Sequence, residues 1–193
     1  MTLLEARTSN PTKGGPSFSL SNRIARSIWQ VTWLLLAAWT PPQMRGWRRL
    51  LLRLFGAEVA TTANVYGSAR IWLPSNLEVR DYACVGPRVT VYNMAKITLC
   101  EYALISQGAH LCAGTHDIED DHFQLKTRPI IIGSRAWVAA EAFVGPGVSI
   151  GEGAVLGARG CAFRDLEPWT VYLGNPAQFF RKRNFHSETR DPG

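Results

Sequence analysis

The sequence predicts a mainly β protein: short parallel strands wound into a three-sided coil, with a helical segment before it and a short extension behind. Three observations carry this expectation. An aliphatic residue recurs every six positions, at Val59, Val65, Ile71 and Leu77, then Val79, Val85, Val91 and Ile97. The beat continues at Leu99, Ile105 and Leu111, and again at Ile132, Val138, Val144, Ile150 and Leu156. Four places after an anchor the residue is repeatedly small, as at Ala63, Ala83, Ala103, Ala109, Ala136 and Ala154, and Thr115 holds that place before His116. Glycine favours the first or third place after an anchor, as at Gly86, Gly108, Gly133, Gly147 and Gly157.

A helix would repeat every 3.6 residues and a half-buried strand every two, so a period of six belongs to neither. It suits a prism in which each side supplies one short strand and one tight corner. The aliphatic points inward, and the small residue fits where the corner crowds the interior. Successive turns then pair as parallel strands ~4.8 Å apart. The pairs Leu77-Glu78 and Ile97-Thr98 lengthen two turns, and Ile130-Ile131 takes the matching place before Ile132. Residues 117–129 are therefore an extruded loop.

In chain order, residues 1–20 are rich in Gly, Pro and Ser and read as disordered. Residues 21–56 form a helical segment: an apolar helix over 21–40, then a basic amphipathic helix over 43–55. The coil follows over 57–167, and residues 168–193 make a C-terminal extension and polar tail. The apolar run Ile28–Trp39 contains Gln30 and Thr32 and falls well short of the ~20 residues that span a bilayer. It also begins too late for a signal peptide. The expected location is the cytoplasm. Residues 21–55 either rest on the inner membrane leaflet or pack on the end of the prism.

The net charge of +6 suits anionic partners. Nucleic acid is not expected, because the basic cluster Arg181, Lys182 and Arg183 lacks aromatic stacking platforms. Cys84, Cys100, Cys112 and Cys161 have no metal-finger spacing and read as buried thiols.

His116 is the leading chemical candidate. It takes the fifth place after Leu111, an outward corner position, and opens the extruded loop. Its ordinary pKa, near 6.5, suits removal of a hydroxyl proton near neutral pH. The alternative is a histidine that only caps backbone groups. His110 and His122 raise a metal site, but His110 and His116 lie on successive sides of one turn, so no metal is expected. No nucleophile elbow is present, which favours direct transfer over a covalent acyl-enzyme.

The hexads, the T-H-D corner with its loop, G-S-R-A-W-V-A-A and the ending E-P-W-T-V-Y-L-G-N-P-A together resemble the hexapeptide-repeat acyltransferases. Within them the chain looks most like the colanic acid (exopolysaccharide) biosynthesis acetyltransferases, and is similar to galactoside and maltose O-acetyltransferases. The resemblance implies a left-handed parallel β-helix, a homotrimer with sites between prisms, and acetyl-CoA as acyl donor. It implies an acceptor sugar, free or carried on a lipid or nucleotide. It makes His116 the general base, and places Asn93 and Asp117 on the acceptor side. Trp137 would lie beside the pantetheine, the backbone at Ala139, Ala140, Gly157 and Ala158 would contact the donor, and Arg164 and Arg181 would meet the nucleotide. Phe163 and Gln178 depart from the family pattern at the nucleotide end, where Lys182 and Arg183 bring charge. N-acetylation of an amino sugar and a non-catalytic, metal-bridged scaffold are the competing readings.

Overall fold

Each aliphatic anchor of the six-residue beat lies in a strand of two or three residues, and all are buried. The computed structural model of the chain describes residues 3–184. In it the strands stack into a parallel solenoid of about six turns. Face one stacks Glu58–Val59, Leu77–Val79, Ile97–Leu99, Ile130–Ile132 and Ser149–Ile150. Face two stacks Asn64–Val65, Cys84–Val85, Leu104–Ile105, Trp137–Val138, Val155–Leu156 and Thr170–Leu173, closed by the antiparallel strand Gln178–Lys182. Face three stacks Arg70–Ile71, Thr90–Tyr92, His110–Cys112, Phe143–Val144 and Cys161–Ala162.

Register sets anchor above anchor. Val79 pairs with Leu99, Leu99 with Ile132, and Ile132 with Ile150. The same holds on face two from Val65 to Leu156. The interior is thus a column of aliphatics with the small corner residues between them, which explains why both positions are restricted.

The corners explain the glycines. The third place after the anchor is left-handed, at Gly108, Gly147 and Gly153 but also at Tyr82, Tyr102, Arg135, Glu141 and Arg159. A side chain there costs about 1–2 kcal/mol, which the stacked ladder on either side offsets. The first place is crowded instead: a Cβ on Gly86 would come 2.7 Å from the carbonyl oxygen of Ile105.

A solenoid leaves an open strand edge at each end, a template for unwanted pairing. Helices α1 (Ala6–Ser9), α2 (Leu20–Leu36) and α3 (Arg45–Leu54) precede the first turn, and α2 and α3 close it. Arg53 Nε donates to the carbonyl of Val59, Arg49 to Ala63 and Arg48 Nε to Val65, at 2.7, 3.0 and 2.6 Å. Trp33 Nε1 donates to Gly67 and Ala69, and Trp29 Nε1 to Ile71. Every side of the first turn therefore has edge carbonyls capped by a side chain. Of the two placements expected for residues 21–55, one helix face packs on the prism end, through Trp29, Trp33, Leu51 and Leu52.

Two expectations are corrected here. The Gly/Pro-rich start is not structureless from residue 3 onward. It forms α1, a bridge between Leu3 and Phe18, and a small cluster in which Phe18 packs with Met94 and Leu125. Burial of one aromatic ring and pairing with a hairpin outweigh its loop-like composition. Second, the six-residue phase ends at Ala113, not behind His116. Gly114–His116 pairs antiparallel with Leu125–Thr127, so the extruded segment is a β-hairpin and Thr115 is exposed rather than inward. The end of the polar tail, 185–193, lies outside the described residues.

Candidate active site

The hairpin at the corner between faces three and one presents His116. Its position opposite Leu125 follows from the pairing of Thr115 with Lys126, and the ring is exposed. His116 Nδ1 lies 2.7 Å from the carbonyl oxygen of Phe123. A carbonyl can only accept, so Nδ1 carries a proton, and in the neutral imidazole the lone pair then sits on Nε2. The hairpin tip is tied by the Asp117 N–H donating to Gln124 O and the Phe123 N–H to Asp120 O. Asp117 pairs with Lys126 at 2.7 Å, and that contact holds its carboxyl below the usual aspartate range. Gln124 joins the hairpin to the N-terminal segment: its Oε1 accepts from the Ala6 N–H at 2.6 Å and its Nε2 donates to Leu4 O at 3.3 Å.

The predicted donor residues gather elsewhere, on face two. A cavity of ≈ 550 Å³ is lined by Trp137, Ala139, Ala140, Gly157, Ala158 and Arg181, with Ser106, Gln107, Val155, Val171, Leu173 and Arg183. Trp137 Nε1 donates to Ser106 Oγ at 2.9 Å, which fixes the indole plane. Ser106, Gln107 and Leu173 were missed by sequence reasoning. The first two take corner places that could be read off the beat, one turn below Ala139 and Ala140. Leu173 sits in the extension, where the beat has ended.

Within each of the expected backbone pairs, Ala139–Ala140 and Gly157–Ala158, the two N–H groups differ. The N–H of Ala139 donates to Leu156 O and that of Gly157 to Tyr172 O, so both belong to the ladder. The next N–H groups, of Ala140 and Ala158, have no backbone partner among the described residues. These point from the corner and are the available donors. Arg164 is not with the others: it lines a separate cavity with Phe163, Asp165 and Gln178. Arg181 is exposed at the cavity rim, and Arg183 is anchored by donation to the carbonyls of Arg135 and Gly153.

Asn93 is also corrected. It is fully buried, its Oδ1 accepts from the Leu73 N–H at 3.0 Å and its Nδ2 donates to Leu73 O at 2.6 Å. The amide locks one turn to the one beneath and presents no polar atom to an acceptor. The inward turn after Tyr92, not sequence chemistry, decides this. His110 is half-buried edge-on between Tyr92 and Phe143, burial lowers its pKa, and its buried Nε2 has no hydrogen-bond partner among the described residues. Among the described residues no group of His, Cys, Asp and Glu is placed to hold a metal ion.

No family model matches the chain. It is similar to WcaF of Escherichia coli strain K12, provisionally assigned as a colanic acid biosynthesis acetyltransferase. The two are 40% identical over 166 residues, 86% of this chain and 91% of that protein. Among solved structures, a maltose O-acetyltransferase from Clostridium difficile 630 aligns with TM-score 0.77 at 21% identity, covering 86% of this chain and 90% of the other. A hexapeptide-repeat acetyltransferase from Vibrio cholerae, complexed with acetyl coenzyme A, aligns with TM-score 0.78 at 18% identity over 89% and 93% of the two chains. The shared architecture is the left-handed parallel β-helix.

Proposed function

The chain belongs to the hexapeptide-repeat acetyltransferases, and from that premise we propose that it moves acetyl from acetyl-CoA to a sugar hydroxyl in exopolysaccharide assembly. His116 is the general base. The observation that carries the reading is the Nδ1–H bond to Phe123 O, which in the neutral imidazole puts the lone pair on Nε2 of an exposed ring. As the acceptor oxygen attacks the thioester carbonyl, Nε2 takes its proton. The tetrahedral intermediate then collapses, the carbon–sulfur bond breaks, and the imidazolium returns the proton to the thiolate. The products are the sugar ester and CoA.

The donor lies in the face-two cavity, its pantetheine along Trp137 and its phosphates toward Arg181. The Ala140 N–H stabilises the oxyanion, a contribution of about 3–4 kcal/mol from one fixed donor. Base catalysis adds ~10²–10⁴-fold. Asp117, with Lys126 beside it, forms the polar wall for the sugar.

The active site is shared between copies, in a homotrimer. Support comes from prism geometry: the corner between faces three and one, which bears the hairpin, is opposite face two, which bears the cavity. His116 is not among that cavity's lining residues, which supports a base supplied by a neighbour's hairpin.

The test is thiol release from acetyl-CoA over a panel of sugars, with the product analysed. A base-labile ester is expected. An amide on an amino sugar, or thioester cleavage by no acceptor in the panel, would overturn the reading.

A further inference from the structure

The capping helices bury one face and leave another. On α2, Trp29 and Trp33 pack on the prism, while Ile24, Ile28, Val31 and Leu35 form a stripe at helical spacing on the opposite side, with Leu34 beside it. Leu34 and Leu35 are 66% and 61% exposed. The surface continues onto α3 through Trp47, Leu50 and Leu54. Trp47 Nε1 donates to Leu36 O, which ties the two helices, and Trp39 stands 70% exposed between them. An exposed apolar surface of this extent calls for an occupant.

Charge identifies it. Residues 6–57 contain eight basic and no acidic side chains, whereas the rest of the chain has 13 basic and 15 acidic. The whole positive excess therefore lies in the N-terminal segment, and Arg23 and Arg45 carry it on the capping helices themselves. Arg48, Arg49 and Arg53 cap carbonyls, while Arg7, Lys13, Arg23 and Arg45 reach solvent. A second copy seated face to face would bring two such cationic segments together, an unfavourable juxtaposition. An anionic lipid surface meets both features, since apolar side chains enter the acyl boundary and the cations meet headgroups. Exposed indoles suit the same boundary. No helix among the described residues is long and apolar enough to cross a membrane, so contact would be in the interface plane.

We propose that the outward face of α2 and α3 docks the protein on an anionic bilayer. The proposal does not depend on the chemistry assigned to His116. It is tested by flotation of the full chain with phosphatidylcholine vesicles, with and without phosphatidylglycerol. Binding is expected only with phosphatidylglycerol and should weaken at high salt. The double variant Ile28→Glu, Leu35→Glu changes only exposed positions. It should lower the bound fraction at least tenfold, with melting temperature and oligomeric state unchanged. Absence of wild-type binding, equal binding to both vesicles, or undiminished binding of the variant would overturn the proposal. A change of oligomeric state in the variant would overturn it too, by making this face a contact between copies.

Discussion

Replacing Arg48 by alanine should open the end of the prism. The side chain is 1% exposed and makes donations to Val65 O, Thr40 Oγ1, Pro41 O and Pro42 O at 2.6, 2.9, 2.8 and 2.9 Å. Pro41 and Pro42 are exposed, so water can replace the guanidinium at their carbonyls. The Val65 carbonyl and Thr40 are buried and cannot be compensated in this way. Each orphaned buried acceptor costs about 1–3 kcal/mol, and the emptied volume beside Leu52 adds to it, for a total of about 3–6 kcal/mol. Because turns of a solenoid couple mainly to neighbours, the loss should appear first at this end. Urea unfolding at fixed protein concentration, followed by tryptophan fluorescence and far-ultraviolet circular dichroism, reads it. The fluorescence transition, dominated by the helical segment, should move to lower urea ahead of the dichroism. Arg45→Ala, at an exposed position, should stay within ~0.5 kcal/mol of wild type. An Arg48→Ala protein within ~1 kcal/mol of wild type would refute the capping argument.

Three further outcomes follow from the site. Ala140→Pro removes a corner N–H where Pro87 and Pro146 stand at equivalent places of other hexads, so the fold should survive while kcat falls ~10²–10³-fold; unchanged kcat would exclude Ala140 as the oxyanion donor. Gln124→Ala frees the hairpin from Leu4 and Ala6 and should lower kcat about tenfold, less than the ~10² of a ~1 Å misplacement. KM for acetyl-CoA should hold, and an unaltered kcat would remove the N-terminal segment from positioning. His110 has a pKa lowered by burial, so its contribution to stability is full above 6.5 and is lost as pH falls below that value. His110→Phe, continuing the ring contacts of Tyr92 and Phe143, should flatten the acid limb of the melting curve below that pH; an unchanged slope would contradict it.

The beat made the prism legible because every sixth residue meets the same crowded interior, and that constraint is local. The paired strands from Val59 to Leu156 fell where the hexads put them. What escaped was set by partners far away in the chain. Arg48, Arg49 and Arg53 read as a basic helix face, yet their acceptors are strand-edge carbonyls, which carry no sequence signature. Ala139 and Gly157 were named beside Ala140 and Ala158 as backbone contacts without distinction, but the ladder uses the N–H directly after each inward anchor and frees the next. Asn93 was placed on the acceptor side, and a turn direction buried it. That the beat is interrupted before Ile132 was visible, whereas the early start of the interruption and its hairpin form were not, because the pairing of Gly114–His116 with Leu125–Thr127 crosses a tip of eight residues with no strong turn dipeptide.

The claim on which the chemistry stands is that the imidazole at position 116 removes the acceptor's proton. Acetyl transfer by His116→Ala, measured at saturating acetyl-CoA on protein with wild-type dichroism and oligomeric state, tests it most directly. The expected rate is at least ~10²-fold below wild type. A rate within a few-fold of wild type would contradict it.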